Sequence, residues 1–238
     1  MTLFSFKKSP LLWLLIPFSC TVQASEQSVT KLSTGFFYSS GQSDTAGLKD
    51  TTTTLVPVMV SVKNNRLSFG ASSSYLSIDT ATLKEEGMGD TTVYIAYDLT
   101  EDPWVSVKLK HKFPTGDEAK SLSTGKDDTS ILLDYFYPIQ SNTSVFANIE
   151  HKFVGKIAGI EMQDTTSASI GTGYSFASGA NVGVSVDYRQ SSFINLDDQI
   201  GASVFASKSL TKTVSLSAFG GYDSTETSSL GMTITTKF

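Results

Sequence analysis

Apolar and polar residues alternate along most of this chain with a period of two. In one stretch Val182, Val184 and Val186 share one parity, and Gly183 and Ser185 share the other. Successive side chains of a β-strand point to opposite faces of the sheet. The pattern therefore predicts strands with one apolar face and one small or polar face.

The alternation divides the chain from residue 29 onward into about twelve strands, each of the roughly 10 to 13 residues that a tilted strand needs to cross a bilayer. The predicted strands are 29–40, 51–62, 66–79, 89–99, 104–114, 127–137, 143–154, 164–176, 180–190, 197–208, 213–223 and 228–238.

The predicted connections alternate between short and long. The short ones are 63–65, 100–103, 139–142, 178–179 and 209–212, and the long ones are 41–50, 80–88, 115–126, 155–163 and 191–196, with a brief 224–227. Outer-membrane barrels have short periplasmic turns, longer outer loops and an even number of strands. The alternation is what such a barrel requires when both termini are periplasmic.

The direction of the apolar face distinguishes a membrane barrel from a soluble sheet protein. In lipid every backbone group must pair internally, so the sheet closes and its outer face is apolar. We therefore predict an all-β fold, a transmembrane antiparallel up-and-down β-barrel whose serines and glycines face a lumen that holds water. The alternative is a secreted soluble β-sandwich with its valines inside. The aromatic residues expected as a girdle near the periplasmic ends are Tyr135, Tyr137, Tyr174 and Phe176.

Both chain ends fit the bacterial outer membrane. Lys7 and Lys8 precede an apolar stretch over 11–18 and a small-residue cleavage site over 22–24, so we expect a signal peptide over 1–24 and the barrel over 25–238. The chain ends on Phe238, which closes an alternating strand. This is the ending that the barrel-assembly machinery recognises, and we predict that machinery as a partner.

Charge and cysteine content exclude several classes of function. Removing Lys7 and Lys8 from the 18 basic residues leaves 16 against 23 acidic ones, a net charge of about −7, which disfavours nucleic acid as a partner. The single cysteine, Cys20, lies in the predicted leader, and Pro17 and Phe18 make a poor lipoprotein signal before it. A mature barrel would have no thiol for disulfides or metals. We predict no cofactor, no metal site and no catalytic residue.

The candidate channel-lining residues are charged residues on the polar parity. They are Lys108, Lys110, Lys112, Asp134, Glu150, Lys152, Asp187 and Arg189. The three lysines of the fifth predicted strand would be stacked about 7 Å apart and would attract anions if unpaired. In the alternative, these charges pair across neighbouring strands and partly close the lumen. Leu55, Met59, Phe136, Phe146, Phe205 and Phe219 are candidate inward apolar groups.

Two further sets of residues lie outside the predicted lumen. His111 and His151 face outward near the head-group level, where interfacial anchoring competes with a lipid-hydrolase role. Acidic residues gather in the predicted outer loops, either as a solvated rim or as ligands of cations that bridge lipopolysaccharide: Asp44, Asp50, Glu85, Glu86, Asp117, Glu118, Asp127, Asp128, Glu161, Asp164, Asp197 and Asp198. Outer-membrane lipid and lipopolysaccharide are thus predicted partners.

One stretch resembles a known family. Gly87-Met88-Gly89-Asp90, then Lys112-Phe113-Pro114-Thr115-Gly116-Asp117, then Ser123-Thr124-Gly125-Lys126-Asp127 are similar to motifs of the outer-membrane family named for the meta-pathway of phenol degradation. In that family the last motif often has glycine where Ser123 stands. The resemblance implies an outer-membrane barrel that transports small, often hydrophobic or aromatic compounds, and it supplies no catalytic residues. The loop motif Pro114, Thr115, Gly116 and Asp117 would either shape an outer loop or fold inward as a constriction.

The sequence therefore predicts an outer-membrane channel for passive movement of a small-molecule solute. A structural or adhesive barrel with a charge-blocked lumen is the alternative, and an outer-membrane lipid hydrolase is the third possibility.

Overall fold

The computed structural model describes residues 28–41 and 51–238. The predicted signal peptide and most of the predicted loop 41–50, with Asp44 and Asp50, lie outside the described residues. Within the described ranges, no helix is long and apolar enough to cross a bilayer.

Thirteen antiparallel strands form the described structure. They are β1 (Val29–Gly41), β2 (Thr51–Asn64), β3 (Leu67–Thr80), β4 (Leu83–Met88), β5 (Thr91–Glu101), β6 (Trp104–Phe113), β7 (Asp128–Pro138), β8 (Thr143–Phe153), β9 (Thr165–Ser175), β10 (Ala180–Arg189), β11 (Gln199–Ser209), β12 (Val214–Asp223) and β13 (Ser228–Lys237).

Twelve of these strands close into a ring, which confirms the predicted fold class. Sequential strands pair with each other from β5 through β13, β13 pairs with β1, and β1, β2, β3 and β5 complete the circle. The C-terminal residue lies at this closure, because the Phe238 N–H donates to the Thr30 carbonyl at 2.9 Å. Closure removes the unpaired edges that lipid does not tolerate.

The outer wall is apolar, as predicted. Its exposed side chains include Val58, Ile95, Ile170 and Val204, and 65% of the surface of Ile170 is accessible. Tyr135, Tyr137, Tyr174 and Phe176 are also exposed, on the ends of β7 and β9 that carry the short turns. Buried side chains are instead mostly polar, such as Ser33, Ser106, Ser130 and Ser185. This inversion of a soluble core is the arrangement expected in lipid.

The two ends of the barrel differ in their connections. One end carries the short turns 65–66, 102–103, 139–142, 176–179 and 210–213, and the other, called here the outer end, carries 81–82, 114–127, 154–164, 190–198 and 224–227. Asn65 and Gly179 have φ angles of 53° and 75° in the short turns, a conformation that Asn and Gly accept most easily.

The prediction of a long loop over 80–88 is wrong. Residues 83–88 form β4, which pairs with the outer half of β3 from Thr80↔Leu83 to Tyr75↔Met88. The hairpin is closed by the Leu83 N–H, which donates to Thr80 Oγ1 at 3.1 Å. β4 continues past the last pairing of β5 with β6, at Thr91↔Phe113. Its sequence is charged because this extension does not face the apolar bilayer, and the missing alternation concealed the strand.

Candidate functional site

The inner face of β6, β7 and β8 carries ion pairs between strands. Lys110 Nζ lies 2.7 Å from Glu150 Oε2, and Lys108 Nζ lies 3.6 Å from Asp134 Oδ2. All four side chains are at most 15% exposed. Lys108 Nζ also lies 5.3 Å from the ring centroid of inward-facing Tyr94. Charges that are this buried need partners, and the neighbouring strands supply them.

Nearer the outer end, Lys112 joins two carboxylates. Its Nζ lies 2.9 Å from Asp90 Oδ2 and 3.0 Å from Asp128 Oδ2, and it donates to Thr124 Oγ1 at 3.2 Å. Lys152 is buried beside them and interacts electrostatically with Asp128 and Glu150. We call these eight residues the ion-pair lattice: Asp90, Lys108, Lys110, Lys112, Asp128, Asp134, Glu150 and Lys152.

The register explains why the lattice forms. Lys112 stands opposite Asp128, and Lys108 stands opposite Leu132, which places Asp134 on the adjacent diagonal. Side chains at direct and diagonal positions of one sheet face are within reach of each other. Four lysines therefore meet four carboxylates, and the lattice has no net formal charge. This is the paired arrangement that was the alternative to a free lysine ladder.

Two of the predicted lining residues lie outside the lattice. Asp187 on β10 accepts hydrogen bonds from the hydroxyls of Ser185 at 3.2 Å and Ser203 at 2.7 Å. Arg189 stands two residues further along β10 and lines a cavity at the outer end of the lumen. Asp128 is the first residue of β7, in agreement with predicted strand 127–137, and it does not belong with the outer-loop acidic residues because it is buried and pairs with Lys112.

Phenylalanine rings form a second feature of the lumen. The ring centroids of Phe37 and Phe219 are 5.6 Å apart, and those of Phe146 and Phe205 are 5.5 Å apart. Phe205 stands opposite Phe219 on the neighbouring strand. These four residues, called here the aromatic belt, face inward on β1, β8, β11 and β12, and only 1% of the surface of Phe37 is exposed.

Glycines on adjacent strands make room for the belt. A Cβ added at Gly231 would overlap the rings of Phe37 and Phe219, one at Gly171 would overlap Phe146, and one at Gly183 would overlap Phe205. The expectation that inward glycines leave space for water is therefore wrong at these three positions. Each glycine is covered by a ring that lies along the wall.

The loop 114–127 is fastened to the barrel by the residues that carry the family resemblance. The Gly116 N–H donates to Asp90 Oδ1 at 3.1 Å, and the hydroxyls of Thr115 and Thr91 lie 2.8 Å apart. Pro114 directly follows β6. Asp117 is exposed and caps a turn by accepting the N–H of Ala119 at 3.0 Å. The motif thus shapes an outer loop, and Asp117 does not form a constriction.

Other residues of this loop turn inward. Leu122 is only 5% exposed, and Thr124 lines a cavity of about 90 Å³ between the loops and the inner wall. Charged residues of this cavity wall are Asp128, Glu150, Lys152 and Arg189, and apolar ones are Val154, Met162 and Phe193.

The two outward histidines have matching surroundings. Nδ1 of His111 lies 3.0 Å from Thr129 Oγ1, and Nδ1 of His151 lies 3.1 Å from Thr166 Oγ1. Each imidazole also meets the edge of the phenylalanine two residues later, with centroid distances of 4.6 and 4.9 Å. Within residues 28–41 and 51–238, no three His, Cys, Asp or Glu side chains are grouped as metal ligands.

Sequence reasoning missed several inner residues. In the sequence Asp90 stands out only as part of a motif, and no pattern singles out Lys63 and Asp98, whose side chains pair at 2.5 Å. Phe37 carried a usable signal, because it is a large apolar residue on the same parity as Ser33 and Ser39. The packing of aromatic rings over glycines could not be predicted from the sequence pattern, since it depends on which strands are neighbours.

Comparison with known proteins agrees with this architecture. The family model described as "Putative MetA-pathway of phenol degradation" matches residues 20–238. An outer-membrane channel from Pseudomonas putida F1 is similar in structure, with a TM-score of 0.72 at 13% identity, over 94% of this chain and 100% of that chain.

Two porins are similar over slightly less of the chain. The KdgM porin, solved in complex with disordered oligogalacturonate, has a TM-score of 0.60 at 12% identity, over 87% of this chain and 99% of its own. The NanC porin has a TM-score of 0.59 at 11% identity, over 87% of this chain and 100% of its own. At these identities the likeness establishes the fold. No curated protein matches the chain.

Proposed function

The chain belongs to the phenol-degradation family of outer-membrane barrels, and on that premise we propose that it is a passive channel for small molecules with an aromatic or otherwise apolar body. The family and the barrel fold predicted from the sequence are confirmed, and the outer-membrane location is proposed together with the function. The solute and the lining residues are the proposal.

The observation that carries this proposal is the difference between two walls of the lumen. The aromatic belt offers apolar surface at 5.5–5.6 Å ring spacing, while the ion-pair lattice offers polar groups with balanced charge. A barrel of about twelve strands is narrower than the porins that hold a wide aqueous channel. A flat apolar solute would contact the belt and keep its polar group toward the lattice.

Single-channel recording in a planar bilayer tests this function. We expect a small ion conductance that benzoate interrupts more often than gluconate, because only benzoate has an aromatic ring for the belt. Replacing Phe205 and Phe219 by alanine should lower the frequency of benzoate interruptions at least about tenfold, given the apolar contact that two rings provide.

Phe176→Ala is the matched control, because this phenylalanine is exposed on the outer wall. Equal interruption by benzoate and gluconate in the wild type would contradict an aromatic solute. A folded barrel that is silent in the bilayer would instead support the structural or adhesive barrel, which the paired lattice favours as the second candidate.

We also propose that the barrel has no enzymatic activity. His111 Nε2 is 3.6 Å from Asp127 Oδ1, too far for the hydrogen bond that orients a catalytic histidine, and the ring is packed against Phe113. Phospholipid turnover that His111→Ala abolishes would contradict this proposal.

Three further expectations remain proposals. Residues 1–24 would be a removed signal peptide. Phe238, 74% exposed, would be read by the barrel-assembly machinery. The outer rim would contact lipopolysaccharide. A mature protein that still carries residues 1–24 would contradict the first expectation. Normal membrane insertion of a chain without Phe238 would contradict the second, and purified barrel without bound lipopolysaccharide would contradict the third.

A further inference from the structure

The cavity at the outer end of the lumen is a partly open site that two loops cover as a roof. Its volume is about 90 Å³. The roof joins loops 154–164 and 190–198, because Met162 forms an isolated bridge with Phe193 and the Gln163 N–H donates to the Ser192 carbonyl at 3.0 Å. One water needs about 10–15 Å³ of such space, so the cavity has room for roughly six to nine water-sized groups, about one substituted ring.

The inner wall of this cavity presents a carboxylate oxygen that lacks a hydrogen-bond donor. Glu150 has a side chain only 9% exposed, and its Oε2 is held 2.7 Å from Lys110 Nζ. Its Oε1 is buried and has no hydrogen-bond partner. Leaving a buried acceptor unsatisfied costs free energy, so this oxygen favours a ligand that brings a hydroxyl or ammonium donor.

A cationic group stands in the same row of the sheet. Glu150 pairs in register with Ser167, and Ser167 pairs with Arg189, so the carboxylate and the guanidinium flank one serine on the inner face. A guanidinium has five N–H donors in a planar fork that matches a carboxylate. In this row the Glu150 carboxylate, a hydrogen-bond acceptor, is therefore separated by one strand from the Arg189 guanidinium, which is suited to bind a carboxylate.

The cavity wall also has three apolar side chains, among polar ones such as Asp128, Lys152 and Gln199. The apolar ones are Val154, Met162 and Phe193, all of which belong to the two loops of the roof. An aromatic ring favours such contacts, since a methionine sulfur and a phenylalanine edge both interact well with ring faces and edges.

We propose that this cavity binds a small aromatic carboxylate that also bears a hydroxyl group. The hydroxyl donates to Glu150 Oε1, the carboxylate accepts from Arg189, and the ring lies against Met162 and Phe193. The inference rests on the proposed channel function and names a solute class for it. The site would hold the solute at the outer mouth before it passes the aromatic belt.

Calorimetry on the folded, detergent-solubilised full chain tests the proposal with three probes. 4-Hydroxybenzoate has all three features, benzoate lacks the hydroxyl and phenol lacks the carboxylate. We expect 4-hydroxybenzoate to bind at least about tenfold more tightly than either, because each comparison removes a hydrogen bond to a charged group. Serine, an amino acid without a ring, should bind more weakly still.

Two variants assign the contacts. Glu150→Gln should weaken the binding of 4-hydroxybenzoate about tenfold and leave the affinity for benzoate nearly unchanged. Arg189→Gln should weaken the binding of both carboxylic acids and leave the affinity for phenol nearly unchanged. Glu86→Gln is the control, since it removes the same charge from exposed β4. The heat-dependent shift of barrel mobility in detergent gels verifies folding, and the Arg189 variant keeps the test decisive if the Glu150 variant does not fold.

Equal affinity for the three aromatic probes, tighter binding of serine, or unchanged discrimination in both variants would overturn the proposal. Bilayer conductance of the same preparations separates it from the channel function. If the barrel conducts ions but binds the three aromatic probes equally, the proposed binding site is overturned and the channel function stands. If the barrel discriminates between the probes but conducts no ions, the channel function is overturned and the binding site stands.

Discussion

At the residue scale, the inner wall combines the largest and the smallest side chains. Phe37 is almost completely buried although it faces a lumen, because its ring lies over Gly231 on the neighbouring strand β13. A larger residue at 231 would push the ring away from the wall and toward the axis. The glycine thus sets how far the ring projects, and so how wide the lumen is at that height.

Gly231→Ala should destabilise the barrel by about 1–3 kcal/mol, because the added methyl group overpacks against two rings. Urea unfolding in lipid vesicles measures the change. The cost should fall in a Phe37→Ala background, since contacting residues couple non-additively. Gly173→Ala is the control, because its Cβ would meet Ser144 Oγ at 3.1 Å and no ring. Equal costs at positions 231 and 173 would contradict the proposed packing.

A second residue-scale prediction concerns Asp164, which fastens loop 154–164. Its Oδ1 accepts from Lys156 Nζ at 2.9 Å and from the Val154 N–H at 3.1 Å. These bonds hold the pKa of Asp164 below its ordinary value. A depressed carboxyl pKa stabilises the fold above the unfolded-state value of about 3.9, and this stabilisation is lost as pH falls through the lower folded-state pKa.

Hydrogen exchange at the Val154 amide measures this effect. Protection relative to an Asp164→Asn variant should be greatest above pH 5 and should disappear as Asp164 is protonated. A constant ratio from pH 6 to pH 2 would show that the carboxylate charge does not hold the loop.

At the element scale, the family motif joins two segments that are distant in sequence. Asp90, directly before β5, binds both the Gly116 N–H of the 114–127 loop and the Lys112 ammonium of β6. Its role could not be predicted from spacing, because 26 residues separate Asp90 from Gly116. The strands themselves could be predicted, since lipid imposes the two-residue alternation. That constraint ends at the barrel rim, which is why the sequence pattern predicts a loop where β4 lies.

Asp90→Asn should loosen the 114–127 loop, because it weakens the charge-assisted contact to Lys112. We expect trypsin to cut the folded barrel at Lys120 or Lys126 about tenfold faster, which corresponds to the loss of one hydrogen bond to a charged group. Asp117→Asn is the matched control, since it removes a charge from the same loop and keeps an acceptor for the turn. Equal cleavage of both variants would contradict the role of Asp90.

At the scale of the whole molecule, the sequence predicts which charged residues face inward but not how their charges pair. Parity placed Lys108, Lys110 and Glu150 on one face, and that placement agrees with the pairs now seen. Whether the lysines act together or are neutralised depends on the register between β6, β7 and β8, which no single strand encodes. The carboxylates of Asp90 and Asp128 complete the balance.

Because lysines and carboxylates of the ion-pair lattice are equal in number, the wild-type channel should discriminate little between K⁺ and Cl⁻. Replacing Asp134 by Asn and Glu150 by Gln leaves two excess positive charges and should shift the reversal potential in a KCl gradient toward that of Cl⁻. Replacing Lys108 and Lys110 by methionine leaves two excess negative charges and should shift it toward that of K⁺. These inner charges act at close range, where salt screens little.

The control replaces Lys208 and Lys212, both exposed at the short-turn end, by methionine. It changes the net charge of the protein as much as the lysine pair in the lumen does, but at sites where ions screen charge within about 10 Å at 0.1 M salt. If the control shifts the reversal potential as far as the Lys108 and Lys110 variant, the lattice does not face the ion path. Opposite shifts from the two lumen variants, with the control unchanged, would place the lattice beside the permeating ions. Its balanced charge would then be the reason that the native channel discriminates little between K⁺ and Cl⁻.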